Sequence, residues 1–441
     1  MLSYDTIKRT VFGLQTGLQG DLMDRRTLLK TGSIAALGLG FSGCAARASQ
    51  RASLTRPLAR PPIVLAPIRA SWGRVIRTTV GLRPHRPSGF LLKAEKFDAK
   101  TVVHNYGHGG AGISLSWGTG SLAADLALEQ GDRRAAVLGS GAVGLAAARQ
   151  LQRRGFKVTI YAMAVPPDTT SNMAYATFSP TSRLVSGPGT VAWEAQFETA
   201  VEIAYRQLQL LVGPRYGISW LDSYRTMETL PSTESAEEGV PNGFAGDPED
   251  GDGDARLDVA ADTYSAELPT YLRSDREIFY PGEHPFQTPY ASRRSSMRIE
   301  PSIYLDAMVR EFHLLGGRIV IRKFDTPRDL MSVSESVIVN CTGLGSLDLF
   351  SDQELIPVKG QLTFLVPQPE VNYEFNCMPR SDGIALGSTG EWGVWTLEPN
   401  EEARQRIVER AITRFAGMRS PEPGMQLTQS RTPVVLRRAK S

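Results

Sequence analysis

Apolar positions along this chain fall into patterns that predict an α/β protein. Short, nearly continuous apolar runs at Thr101–Asn105, Arg134–Leu138, Lys157–Tyr161, Arg318–Ile321 and Val337–Asn340 read as strands, most of them buried on both faces as in parallel sheets. Trp193, Phe197, Val201, Ala204, Leu208 and Leu211 recur at spacings of three and four and predict one amphipathic helix, and others are expected at Tyr304–Leu315 and Glu401–Phe415. Helices are also expected at Ser121–Leu128 and Leu145–Arg154, the second stopped by Gly155. Strand 134–138, a glycine turn at 139–144, helix 145–154 and strand 157–161 make a βαβ unit in outline. Residues 45–70, rich in Ala, Arg and Pro without periodicity, read as a spacer. Between Ser232 and Ala255 stand eight acids and no Lys or Arg, which reads as a disordered surface insertion reaching to 267.

Composition narrows the class. The 441 residues are 41% hydrophobic and 22% charged, as in ordinary globular proteins, and leave room for two or three domains. Residues 1–48 hold six bases and three acids, and the remainder balances at 43 of each, so there is no case for nucleic-acid binding. Of three cysteines, Cys341 and Cys377 allow at most one disulfide, and the five histidines form no metal motif, so no structural metal is expected. Arg25-Arg26 precedes an uncharged stretch from Thr31 to Gly43, the pattern of a twin-arginine export signal. That stretch is too short to span a bilayer. Cys44 is a candidate for acylation, Met23 a candidate start, and a periplasmic or cell-surface location is expected.

The strongest chemical motif is Gly139-Ser140-Gly141-Ala142-Val143-Gly144, a GxGxxG that follows a strand and opens a helix. The first glycine makes the turn, the second admits a pyrophosphate, and the third packs helix on strand. The helix N-terminus favours the phosphates. The acid that usually binds a ribose hydroxyl is missing, because the second strand ends Tyr161-Ala162-Met163.

His104-Asn105-Tyr106-Gly107-His108-Gly109-Gly110-Ala111-Gly112 resembles the HNYGHGG signature of the D-amino-acid oxidase family, FAD-dependent flavoenzymes. Gly81–Pro87 is similar to that family's GxRPxRP segment, Thr169-Thr170-Ser171 to its threonine-rich FAD turn, and Val337–Gly343 to its late VIVNCTG strand. Glu300–Leu305 and Val358-Lys359-Gly360-Gln361 extend the resemblance over most of 75–415. The order is rotated, since the family opens on GxGxxG and closes on the two segments that here precede it. The resemblance therefore implies a circularly permuted α/β protein with a Rossmann-like FAD domain at 73–190 and 318–345. A substrate domain on a mixed sheet would take 191–317 and 346–418. Residues 1–48 would be leader, 49–72 spacer and 419–441 tail.

The resemblance also implies a site. Arg83 would bind a substrate carboxylate, Tyr290, counted back from Glu300, would add a hydroxyl, and the Gly110 carbonyl would accept from the amine. FAD would be held by Gly139, Ser140, Gly141, Ala142, Val143 and Gly144, by Thr169, Thr170 and Ser171, and by Ala176 and Thr177. Gly112, Ile113 and Ser114 would hold the flavin edge, and Phe324, Thr342 and Gly343 the adenosine half. His104 and His108 read as structural. The implied reaction is oxidation of a D-amino acid to an imino acid that hydrolyses to a 2-oxo acid and ammonia, with O₂ reduced to H₂O₂; a homodimer is compatible with it. Three rivals stand beside it: a D-aspartate oxidase with Arg293 or Arg294 as the extra cation, an NAD-dependent dehydrogenase, and a non-catalytic flavin-binding envelope protein.

Overall fold

A six-stranded sheet of order β2-β3-β10-β4-β5-β9 carries the predicted βαβ unit in the computed structural model, which describes residues 60–175, 177–230, 272, 274–421 and 425–428. The strands are β2 (Leu91–Phe97), β3 (Lys100–Tyr106), β10 (Val337–Asn340), β4 (Arg134–Leu138), β5 (Lys157–Ala162) and β9 (Arg318–Ile321). All pairs are parallel except β2 with β3. Alternation explains the continuous apolar runs: Ala135, Val137, Val337 and Val339 enter one core, while Ala136, Leu138 and Ile338 enter another on the opposite face. Helices α1 (Gly112–Leu128), α2 (Ala142–Arg153), α3 (Val191–Leu210) and α4 (Pro301–Leu314) contribute to the first core.

The remaining strands form two further sheets. One is antiparallel, of order β1-β11-β14-β13, from β1 (Val75–His85), β11 (Ile356–Leu365), β14 (Gly383–Leu386) and β13 (Cys377–Arg380), with β15 (Glu391–Trp392) also on β11. The other has the order β12-β6-β8-β7, from β12 (Tyr373–Glu374), β6 (Ile218–Met227), β8 (Tyr290–Ile299) and β7 (Glu277–Phe279). A short α5 (Gly345–Phe350) follows β10, and α6 (Glu401–Ala416), capped by the Asn400 side chain, packs against β11. No helix among the described residues is long and apolar enough to cross a membrane.

Several expectations are corrected. From residue 60 the spacer is an ordered arm: Leu65, Ala66 and Ile68 are buried, and Tyr373 Oη donates to the Ala66 carbonyl at 2.6 Å. Gln368 and Arg69 exchange two hydrogen bonds at 2.8 and 3.0 Å. The tail also packs in part, for the Thr428 N–H donates to the Val64 carbonyl at 2.7 Å and the Val64 N–H to Thr428 Oγ1 at 2.9 Å. The boundaries at 73 and 190 shift, because β1 pairs with β11 outside the parallel sheet, and α3 packs on α1 in the first core. Cys341 and Cys377 are both free thiols. The leader with Cys44, the acidic insertion, Ala176 and residues 429–441 lie outside the described residues.

Candidate active site

The carboxyl edge of the parallel sheet collects four loops, because β3, β10, β4 and β5 run in the same direction in close register. Asn340 lies level with His104 and Leu138, and Leu138 with Tyr161. Ligands of open α/β sheets bind at such an edge. After β4, Gly139 turns with φ +97 and donates its N–H to the Tyr161 carbonyl at 2.8 Å. A side chain there would meet the Cys341 carbonyl, and one at Gly144 would strike the Gly139 carbonyl, so the motif's first and third glycines do the packing expected of them.

Two helices begin together at this edge. A Cβ on Gly112, the first residue of α1, would lie 3.8 Å from Val143 in the first turn of α2. Neither N-cap residue, Ala111 or Gly141, supplies a side-chain cap. Both positive helix ends therefore face one place. Around it, Ser171 Oγ accepts the Ala142 N–H at 2.9 Å, and Ser140 Oγ donates to the Ala164 carbonyl at 2.6 Å. Thr169 Oγ1 donates to Asn172 Oδ1 at 2.8 Å, and the Thr170 methyl and Met173 lie against Gly81 on β1. Ile113 is buried, and Ser114 Oγ accepts the Ser179 N–H at 2.8 Å. Thr177 bridges to Arg298, and its buried hydroxyl has no hydrogen-bond partner among the described residues.

After β10, Thr342 Oγ1 donates to Asn340 Oδ1 at 2.8 Å, and Asn340 Nδ2 reaches Ser346 at 3.0 Å and His104 at 3.3 Å. Gly343 turns with φ +59 beside Pro84. Phe324 meets Tyr161 edge-on at 5.7 Å between ring centroids. Met163, at the usual place of a ribose-binding acid, is 72% exposed. A dinucleotide with a flavin fits this set: paired helix ends for its anionic and electron-rich parts, a glycine turn for close approach, and an orphaned buried hydroxyl at Thr177.

Arg83 stands on β1 opposite Val358. Its guanidinium lies against Gly360, where any side chain would overlap it, and Nη1 donates to the Thr389 carbonyl at 3.1 Å. Thr389 is held by β11, whose Gln361 N–H donates to Thr389 Oγ1 at 3.0 Å. Immediately after Arg83, the Pro84 carbonyl accepts the Gly109 N–H at 2.8 Å, and His85 bridges to His108, so Arg83 and Gly110 come to one corner. The glycines at 109 and 110 are demanded by a neighbour the sequence did not disclose, the backbone of Ser182 and Arg183. A side chain on Gly109 would strike the Arg183 carbonyl, and one on Gly110 would lie 2.6 Å from Ser182 Oγ. The Gly110 N–H is spent on the Ser182 carbonyl at 2.9 Å. Arg183 itself has φ +47, which no sequence pattern signals.

The histidines take structural positions. Burial pushes His108 down to about 3, leaving it neutral, and its Nε2 meets Thr119 Oγ1 at 3.0 Å. Burial also lowers His104, against the opposing pull of Glu95, to which its Nε2 donates at 3.0 Å.

Tyr290 stands on a different element from Arg83 and Gly110. It opens β8 opposite Met227, in a sheet separate from that of Arg83, with its ring edge-on to Tyr280 at 6.0 Å. Counting back from Glu300 leads along β8 away from Arg298, the residue that bridges to Thr177. Phe286, four residues before Tyr290, packs on Phe375 at 4.3 Å. Arg293 is paired with Asp222 at 3.4 Å and Glu277 at 2.5 Å, so its charge is already met within its own sheet.

Comparison with known proteins adds an independent line. The family model described as DAO, FAD dependent oxidoreductase, matches residues 134–435. A D-amino acid oxidase of Dugesia ryukyuensis is 24% identical over 297 residues, which cover 64% of this chain and 78% of that protein. A D-amino-acid oxidase of Rubrobacter xylanophilus is 24% identical over 322 residues, 68% of this chain and 86% of that one. Among solved structures, a glycine oxidase from Bacillus cereus aligns with 14% identity and a TM-score of 0.42, covering 64% of this chain and 78% of that one.

Proposed function

We propose oxidation of D-amino acids as the reaction of this chain, from the premise that it belongs to the DAO family of FAD-dependent oxidoreductases. FAD is its cofactor. Bound FAD would supply two-electron oxidation of the amino acid, with O₂ as the final acceptor giving H₂O₂. The chain's own residues bind and orient. The observation that carries the reading is the guanidinium of Arg83, set on Gly360 and tied through Pro84 and Gly109 to the loop of Gly110.

A planar guanidinium suits a carboxylate in bidentate geometry, which fixes the position and tilt of the whole amino acid. The Gly110 carbonyl accepts from the substrate amine and holds its lone pair toward Cα. His108, neutral and enclosed, takes no proton from the substrate. The imino acid leaves and hydrolyses in water to a 2-oxo acid and ammonia. Residues 139–144, 169–171, 177, 112–114, 324, 342 and 343 hold the cofactor in this reading, with Ala176 beside Thr177. Tyr290 has no part in it.

The chain is read as a circular permutant. The family match begins at Arg134, the first residue of β4, yet β3 lies in the same parallel sheet before it. The ends of the folded body meet at Val64 and Thr428, as a permuted chain requires. Export by the twin-arginine route, a periplasmic or cell-surface site, a lipid at Cys44 and a homodimer complete the proposal.

The test is turnover of FAD-loaded protein on a panel of D-amino acids, read as H₂O₂ and ammonia, beside Arg83→Leu. Turnover is expected, and Arg83→Leu should lower kcat/KM by about 100-fold or more, the worth of a buried charge-assisted bidentate contact, while FAD stays bound. An Arg83→Leu enzyme as active as the parent would remove the anchor.

A further inference from the structure

We propose that Arg183 is a second guanidinium of the substrate pocket and selects D-amino acids whose side chain carries a second carboxylate; the inference rests on the D-amino-acid reading above. Arg83 Nη1 donates to the Thr389 carbonyl. On the next residue, the Cβ position of Gly390 lies 3.0 Å from Arg183 Nη2 and 3.4 Å from its Nε. The two cations therefore touch consecutive residues of one backbone segment, less than about 10 Å apart given the 3.8 Å span of a peptide unit. A four-carbon dicarboxylate held at each end by a guanidinium bridges that interval.

Arg183 is also unspent. Among the described residues its guanidinium makes no ion pair and no hydrogen bond, whereas Arg86 is paired with Asp352 and Glu354, and Arg380 with Asp382. Glu391, which follows Gly390, faces Lys359 at 3.7 Å and accepts from Asn400 at 3.3 Å. Half-buried cations without a partner are uncommon because desolvation is costly, and a ligand carboxylate offsets that cost.

Its root is held in place. The Arg183 carbonyl accepts the His85 Nδ1–H at 2.8 Å, and the preceding carbonyl, of Ser182, accepts the Gly110 N–H. The cation is thus tied to both the strand of the carboxylate anchor and the loop of the amine acceptor, an arrangement that is set before substrate arrives. Gly390 admits the guanidinium, which a side chain there would crowd. Arg183 takes the role that sequence reasoning gave to Arg293 or Arg294; the charge of Arg293 is met by Asp222 and Glu277.

The experiment compares kcat/KM for D-aspartate and D-alanine in FAD-loaded parent, Arg183→Met and Arg183→Lys. The parent should prefer D-aspartate, and the D-aspartate to D-alanine ratio should fall by about 10- to 100-fold in Arg183→Met and by less in Arg183→Lys. A parent that prefers D-alanine, with the ratio unmoved by Arg183→Met, overturns the proposal. If Arg183→Met does not fold, Gly390→Leu displaces the guanidinium instead and should lower the same ratio; an unchanged ratio counts against Arg183. Calorimetric binding of malonate and acetate separates this inference from the oxidation reading. Malonate bound more tightly than acetate, and that advantage lost in Arg183→Met, keeps the two-cation pocket even where no D-amino acid is oxidised. Equal binding of the two ligands ends it even where D-amino acids are oxidised.

Discussion

Glu374 is a carboxyl group enclosed between two sheets, 4% exposed and bonded to Ser223 and Ser296. Burial pushes it from the ordinary 4.5 up to about 7, against the weaker opposing pull of those hydroxyls and of Arg225. The folded chain thus keeps a proton there that the unfolded chain has released, so stability falls as pH rises from about 4.5 to about 7 and is flat above. Glu374→Gln cannot ionise, and at pH 8 it should be more stable than the parent by roughly 1–3 kcal/mol, a shift of a few degrees in Tm. At pH 4.5 the two should melt together, and a difference independent of pH would refute the burial account. Motifs pointed to Arg83, Gly110 and the GxGxxG glycines; the first two lie at one corner and the glycines at the carboxyl edge of the parallel sheet. For Tyr290 the only guide was distance along a strand. Arg183 was invisible because its position depends on a left-handed backbone and on an absent side chain at Gly390.

At the scale of elements, the periodic helices and buried strands fall where their patterns put them. The runs at 318–321 and 337–340 match β9 and β10 residue for residue, and the helix expected at 401–415 is α6 with one residue more. Helix α1 begins nine residues earlier than its apolar pattern suggests, because Gly118 and Gly120 interrupt that pattern. Both are there for close packing: a side chain on Gly118 would strike Ala200 of α3, and one on Gly120 would lie 2.9 Å from the Ala147 nitrogen of α2. The arm at 60–70 escaped notice for a different reason. Its structure is set by side chains buried in another element's core, and an extended segment rich in Pro has no period of its own. Leu65→Ala should therefore cost about 2–4 kcal/mol, the usual loss for a buried leucine, read as a lowered midpoint in urea. A change under about 0.5 kcal/mol, typical of surface sites, would mean that the arm is not part of the fold.

For the whole molecule, four loops from distant parts of the sequence meet because the strands that carry them are parallel neighbours. The order of those strands in space, with β10 between β3 and β4, was beyond what linear patterning conveys. What the motifs did convey was the family and its cofactor, FAD. In the permuted reading proposed above, the rotated order leaves this geometry intact, with the break placed where Val64 and Thr428 meet. The central claim is that these pieces assemble an FAD site facing a D-amino acid anchored by Arg83. Its most direct test is the absorbance spectrum of the purified protein before and after anaerobic addition of D- or L-amino acids. Flavin bands that bleach with the D-enantiomers and persist with the L-enantiomers are the result expected. Flavin that stays oxidised with every D-amino acid, or that bleaches equally with both enantiomers, would contradict it.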